Sequence, residues 1–285
     1  MRGNPRTMRL LRPRTPQEAV CAFARHPKAI PLAGGTDFMV AWNAGLLDDN
    51  LVLDLTGLKA WSRIRARKNG LLAGALATHT MLREHPEVRS RSPLLAQACA
   101  TVGGAQIQNR GTLGGNIANA SPAGDTFPPL AVYEAVIHAV SPRGRRKIPF
   151  SKIFAGVKKT TLDPAELIEA VEVPRLAGRP SRQIFRKVGT RAAQAISKTV
   201  AAGLLWLRRD GTVRELRFAL GSVAPTVRRL KSVEAFVNGK RLTPAVAREA
   251  CSLLSRDISP IDDVRSTRAY RLRVSGNILR SFLLG

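Results

Sequence analysis

The apolar positions of this chain fall into short runs, and no long element is predicted until the last twenty residues. Thr15-Pro16-Gln17-Glu18 sets a hydroxyl, a proline and a carboxylate in capping-box order, so a helix is predicted to about Arg25. Ala29-Ile30 is a strand stub, and NLVLDL from Asn50 to Leu55 is a strand. Ser62–Arg67 and Leu71–Ala75 read as hairpin arms turning at Lys68-Asn69-Gly70. Thr78 caps a short helix to Glu84, and Pro93 to Val102 predicts another. Beyond it come a helix near Thr126–Tyr133, for which Asp125 stands at the cap position, and a strand from Ala135 to Ser141. The basic hairpin Pro142–Lys147 and a strand near Glu166–Val173 follow. Pro174 to Pro180, rich in Pro, Gly and Arg, reads as a domain boundary. After it, strands near Thr199–Leu207 and Val213–Gly221 flank Arg209-Asp210-Gly211-Thr212. Helical patterns near Ser232–Val237, Pro244–Ser255 and Thr267–Leu284 close the chain.

Two stretches do not fit this alternation. Val102 to Asp125 (VGGAQIQNRGTLGGNIANASPAGD) holds six glycines and one charge, Arg110, before its closing carboxylate. Such a segment reads as a loop that buries little of itself, but its backbone can approach a ligand closely and its N–H groups can converge on an anion. Gly114 and Gly115 are the positions expected to need a left-handed backbone. The second stretch, Leu32-Ala33-Gly34-Gly35-Thr36-Asp37, follows the strand stub and ends on a hydroxyl and a carboxylate. Two glycine nests suit a two-phosphate ligand. The bland alternative is a set of surface turns. The chain has no G-x-G-x-x-G and no Gly-Lys-Ser/Thr after either run, so neither a Rossmann site nor a P-loop is supported.

With 285 residues and 44% apolar content, the chain can build one large core or two modest ones. Cys21, Cys99 and Cys251 lie far apart and the four histidines are scattered, so neither a disulfide nor a metal site is expected. The formal net charge is +26, and most of the 46 basic residues are arginines spread from end to end. With 5% aromatics and no recognition motif, nucleic-acid binding is not indicated, and a solvated basic surface facing an acidic partner is the plainer reading. The first fourteen residues carry five arginines but no apolar core of the kind a secretory signal needs. No run reaches ~18 apolar residues, so no membrane span is expected and the location expected is cytoplasmic.

The residues Ala33–Asp37 (AGGTD) and Gln106–Asp125 (QIQNRGTLGGNIANASPAGD) closely resemble the FAD-binding subunit of the molybdenum hydroxylases. These include the flavoprotein chains of bacterial xanthine dehydrogenase and aerobic carbon monoxide dehydrogenase. The resemblance continues through Gly74–Leu82 (GALATHTML), Ser141–Pro149 (SPRGRRKIP), Glu166–Pro174 (ELIEAVEVP), Phe185–Arg191 (FRKVGTR), Gly221–Arg229 (GSVAPTVRR) and Tyr270–Val274 (YRLRV). It implies an α+β fold: a two-lobed FAD-binding domain of the PCMH type over residues 1–176, with lobes 1–57 and 58–176. A smaller domain of antiparallel sheet plus helices would occupy 177–285. It implies no covalent flavin link and, given the cysteine spacing, no iron–sulfur cluster in this chain.

By the same resemblance, Leu32, Ala33, Gly34, Gly35, Thr36, Asp37 and Phe38 in the first motif contact the cofactor, as do Thr112, Gly114, Gly115 and Asn116 in the second. Backbone N–H groups from both stretches would meet the pyrophosphate. Val102 and Ile168 match apolar cofactor contacts, with a plain core role as the alternative for each. Asp125 matches a ligand for polar FAD atoms, with helix capping as the alternative. Lys187 matches a lysine beside the flavin, where a cation favours the reduced anion, and a solvated lysine is the alternative. Partner chains would hold the rest of the machinery: a large subunit with the molybdopterin cofactor and a small subunit with 2Fe-2S clusters, assembled as a dimer of heterotrimers. Electrons would leave from FAD to NAD or another acceptor. Two rivals stand beside this reading, a stand-alone flavin oxidoreductase of the same fold and a colourless basic binding protein.

Overall fold

A computed structural model describes residues 3–47 and 50–285. It opens with β1 (Arg9–Leu11), α1 (Pro16–Arg25), β2 (Ile30–Leu32), α2 (Phe38–Asn43) and β3 (Leu51–Asp54). The strands form a parallel sheet in the order β1-β3-β2. The Thr15 cap of α1 forms as its sequence predicts, with Glu18 N donating to Thr15 Oγ1 at 3.2 Å, but the Glu18 carboxylate accepts from Arg14 N at 2.8 Å, one residue before the cap that a capping box would use. Ala19, Val20 and Phe23 then pack on Leu53, Leu55, Leu58 and Trp61. This packing fixes β2 and therefore the glycine turn at its end.

Next come β4 (Ile64–Arg67), β5 (Gly70–Gly74), α3 (His79–Glu84), α4 (Pro86–Arg91), α5 (Pro93–Cys99), α6 (Ala105–Arg110), α7 (Leu113–Asn119) and α8 (Phe127–Val132). The strands β6 (Val136–Ser141), β7 (Gly144–Pro149), β8 (Phe154–Gly156), β9 (Lys159–Thr160) and β10 (Leu167–Pro174) complete this part. An antiparallel sheet runs β4-β5-β10-β6-β7. Its inner positions, among them Leu71, Ala73, Ile137, Ala139, Ile148, Val171 and Val173, are buried with Leu94, Leu113, Ile117, Phe127 and Phe150 from the segments packed on it. The basic hairpin forms between β6 and β7, and its Arg145 and Arg146 pair with Glu169 and Glu166.

The last part holds β11 (Arg182–Val188), β12 (Thr199–Leu207), β13 (Val213–Gly221), β14 (Arg228–Arg229), α9 (Lys231–Val237), α10 (Pro244–Ser252), α11 (Leu254–Asp257) and α12 (Arg268–Leu284). Its four strands are antiparallel in chain order. The near-continuous apolar run of β12 has a structural reason. Alternate side chains point to opposite faces: Ala202, Leu204 and Trp206 join the core of the five-stranded sheet, whereas Ala201 and Leu205 join Phe218, Leu279 and Phe282 under the C-terminal helices.

Several elements depart from the sequence reading. The glycine-rich stretch is not one long loop but the helices α6 and α7. Leu113 and Ile117 stand one turn apart, both fully buried, and that burial outweighs the roughly 1 kcal/mol a glycine costs in a helix. Neither Gly114 nor Gly115 is left-handed; the helix ends instead at Ala120, with φ 47°. The helix from Pro93 stops at Cys99, and the one from Pro244 breaks at Leu253. β11 was not expected, because Arg186 and Lys187 interrupt its apolar alternation. Asp125 caps nothing, since α8 follows Thr126 without a side-chain cap.

Candidate functional site

The turn after β2 and the segment α6–α7 meet backbone to backbone. A Cβ on Gly34 would overlap the carbonyl group of Arg110, so only glycine lets the two pass so closely. Gly35 has φ 79° and turns the chain into α2. Between these segments lies a cavity of about 460 Å³, inside the range usual for small-molecule sites. Leu32 to Phe38, Val102, Thr112, Gly115 and Asn116 all line it, and so do His79, Ile107 and Gly111.

The backbone hydrogen bonds around it divide unevenly. Leu113 N donates to Ala77 O at 3.0 Å, Gly114 N to Ala75 O at 2.8 Å, Gly115 N to Thr112 Oγ1 at 3.1 Å and Asn116 N to Thr112 O at 2.9 Å. Four of the five amides from Thr112 to Asn116 are therefore spent inside the protein, and only Thr112 N has no acceptor among the described residues. These bonds dock α7 onto the connection between β5 and α3. In the first motif, Met39 N bonds Gly35 O at 2.8 Å, but the N–H groups of Gly34, Gly35, Thr36, Asp37 and Phe38 find no acceptor among the described residues. A run of unspent amides around a left-handed glycine is the backbone nest that binds anions. The cavity lining includes no lysine or arginine. An anion here would be held by the backbone.

Polar side chains brace the walls. Asn119 Nδ2 donates to Asp37 Oδ1 at 2.8 Å, and Lys158 Nζ to Asn119 Oδ1 at 2.6 Å. Thr126 Oγ1 donates to Asn116 Oδ1 at 2.6 Å, which leaves the Asn116 amide hydrogens available. Behind Val102, Lys187 Nζ donates to Thr101 O at 2.8 Å and pairs with Asp125 Oδ2 at 2.6 Å. Burial pushes the Asp125 carboxyl up to about 6, and the Lys187 ammonium opposes that rise.

Comparison with known proteins decides the family. Residues 6–176 match the family described as the FAD-binding domain in molybdopterin dehydrogenase, and residues 184–285 match the carbon monoxide dehydrogenase flavoprotein C-terminal domain. The chain belongs to the FAD-binding subunits of the molybdenum hydroxylases. It is 30% identical to the glyceraldehyde dehydrogenase medium chain of Sulfolobus acidocaldarius, over 90% of each chain. It is 28% identical to the carbon monoxide dehydrogenase medium chain of Hydrogenophaga pseudoflava, over 88% of this chain and 87% of that one. A solved structure of the Hydrogenophaga enzyme, lacking the Mo-pyranopterin moiety of its cofactor, aligns at TM-score 0.91 and 27% identity, covering 97% and 96% of the two chains. The chain is thus an FAD-binding oxidoreductase subunit.

The nest fits a dinucleotide of this kind, because its amides suit a pyrophosphate and its glycines leave room for one. Of the residues expected at the cofactor, four stand off the cavity wall. Gly114 is glycine for packing: a Cβ would come within 2.6 Å of Ala75 Cβ. Ile168 lies in the main core on β10. Asp125 and Lys187 form their ion pair one layer behind Thr101. Sequence reasoning passed over His79, Ile107 and Gly111, although His79 sits in the GALATHTML motif and the other two within the glycine-rich stretch.

Gly115 offers a test that separates ligand binding from stability. Its Cβ would lie 2.8 Å from Thr112 Oγ1 and 3.7 Å from Ala33 Cβ. Gly115→Ala gains about 1 kcal/mol of helix propensity and loses about the same by displacing the Thr112 cap. Thermal unfolding of the FAD-free chain should therefore barely change. FAD titration should show weaker binding, because the displaced hydroxyl and the new methyl both stand at the cavity wall.

Proposed function

We propose that this chain is the electron outlet of a three-subunit molybdenum enzyme. It would receive electrons from 2Fe-2S clusters in a small partner subunit and pass them to NAD or another external acceptor. Substrate oxidation would take place at the molybdopterin cofactor of a large subunit, and the assembly would be a dimer of heterotrimers in the cytoplasm. The observation that carries the reading is the row of unspent amides from Gly34 to Phe38 on the cavity wall. The kinship with medium chains of carbon monoxide and glyceraldehyde dehydrogenases supports it.

In this reading the amides of Gly34 to Phe38 hold the pyrophosphate, at about 1.5–3 kcal/mol for each hydrogen bond to a charged group. The Thr36 and Thr112 hydroxyls and the Asn116 amide contact the neighbouring polar atoms. Val102 and Ile107 give the cavity an apolar side that excludes water. Asp125, with Lys187, fixes the Thr101 carbonyl and hence the wall at Val102. Bound FAD supplies the exchange between two-electron and one-electron carriers. We place the domain division at 176/177, with lobes 1–57 and 58–176, a reading supported by family matches that stop at 176 and resume at 184.

The purified chain should be yellow, with a flavin absorption spectrum, and should hydroxylate no aldehyde or heterocycle alone. Adding the large and small subunits should restore turnover. The surplus basic charge would guide docking onto acidic faces, so the assembly rate should fall as salt shortens the Debye length below ~10 Å. A colourless chain, or substrate hydroxylation by the chain alone, would overturn the assignment.

A further inference from the structure

His79 is the first residue of α3, and its backbone N–H donates to Gly111 O at 3.0 Å. The side chain is 2% exposed and lines the cavity. Its ring lies against Gly111, where a Cβ would come within 3.2 Å of Cδ2 and 3.5 Å of Nε2. Gly111, having no side chain, leaves room beside that edge of the imidazole. Nδ1 is fully buried with no hydrogen-bond partner, and Nε2 makes no hydrogen bond among the described residues, so Nε2 is the ring nitrogen left to meet a ligand in the cavity. Buried polar atoms are almost always paired, and leaving one unpaired costs about as much as a desolvated group loses. That cost stands at Nδ1 with or without a ligand; what a ligand in the cavity can supply is a partner for Nε2.

We propose that His79 is a cofactor-binding residue whose ring hydrogen-bonds an uncharged polar group of the bound flavin nucleotide, a ribityl hydroxyl or a ring carbonyl or imide, rather than its phosphates. This rests on the assignment of the cavity to FAD. With Nδ1 shut off, Nε2 of a neutral imidazole is a donor or an acceptor according to its tautomer, so it can meet a hydroxyl, a carbonyl or an imide N–H. A phosphate would instead favour the charged ring. Burial drives the His79 pKa down to about 4, so the ring is neutral at physiological pH. The amides of Gly34 to Phe38 already serve the phosphates. That leaves His79 for the less charged part of the ligand.

The test compares His79→Leu, His79→Asn and His79→Gln in the full chain, reading FAD affinity by fluorescence titration and FAD-free stability by thermal unfolding. His79→Leu removes both nitrogens at nearly constant volume. The FAD-free chain should become as stable as wild type or more so, while its FAD dissociation constant rises about tenfold, the ratio one good hydrogen bond commands. A residue with a merely structural role would shift the two in the same direction. Asn or Gln, whichever places its amide nearer the lost nitrogen, should recover most of the affinity. In the FAD-loaded wild type, the ¹⁵N shifts of His79 should remain those of a neutral ring from pH 6 to 8. Unchanged affinity in His79→Leu, or an imidazolium signature with FAD bound, overturns the proposal. If wild type itself binds no FAD, the cavity assignment fails first.

Discussion

Gly34→Ala should give a folded chain that no longer retains FAD. The added Cβ would overlap the carbonyl oxygen and carbon of Arg110, and both are backbone atoms of a helical segment. A flexible side chain could swing aside; this backbone cannot. Relief requires the β2–α2 turn to move away from α6, at an overpacking cost of about 1–3 kcal/mol. That movement separates the unspent amides of Gly34 to Phe38 from the wall formed by Thr112 and Gly115. Losing the alignment of two charge-assisted bonds, at about 1.5–3 kcal/mol each, would weaken FAD binding at least about a hundredfold. Gly57→Ala is the control, since no atom lies within 4 Å of the Cβ it would add. Flavin content per chain and thermal unfolding should be measured on both. A full FAD complement in Gly34→Ala would sink the cradle.

Both halves of this site were visible as glycine-rich motifs, but not how they divide the work. In isolation, TLGGN and AGGTD look equally able to offer amides. Which of them does so depends on Ala75 and Ala77, whose carbonyls take the N–H groups of Gly114 and Leu113. No local pattern announces that pairing. The same limit explains α7: glycines argue against a helix, and only the burial of Leu113 and Ile117 against a distant sheet reverses the balance. His79 was counted among scattered histidines because its neighbours at the cavity come from other parts of the chain. Where the chemistry is local the sequence reading held, as at the Thr15 and Thr78 caps and the hairpin across Lys68-Asn69-Gly70.

The net charge of +26 has little to do with the cavity, whose lining carries no lysine or arginine. Many acidic side chains are instead spoken for inside the chain: Glu166 by Arg146, Glu169 by Arg145, Glu172 by Lys147, and Glu234 by Arg229. The surplus is thus displayed outward. A ligand held by amides and a surface dominated by cations are separate features, and salt should affect partner docking more than FAD retention.

Lys187→Met should destabilise the chain strongly, and more so at pH 8 than at pH 5. Lys187 comes from β11 in the last part of the chain, whereas Thr101 and Asp125, which it joins, lie in the first. Both members of the pair are largely buried, with 11% and 8% of their side chains exposed, and Asp125 Oδ1 has no partner of its own. Removing the cation strands a buried carboxylate, a loss of about 3–5 kcal/mol. Asp125 already titrates near 6 because burial lifts it above 3.8. Between those values the folded chain keeps a proton that the unfolded chain has lost, so this group's contribution to stability falls as pH rises through that window. Without Lys187 the folded pKa climbs further, and the fall extends past 6 toward neutrality. Denaturant unfolding at both pH values should show the variant's deficit shrinking in acid, where the carboxyl is protonated and needs no cation. Lys187→Met combined with Asp125→Asn should recover most of the loss, since no charge is then left buried. A deficit equal at pH 5 and pH 8 would mean that Lys187 stabilises the junction by packing alone.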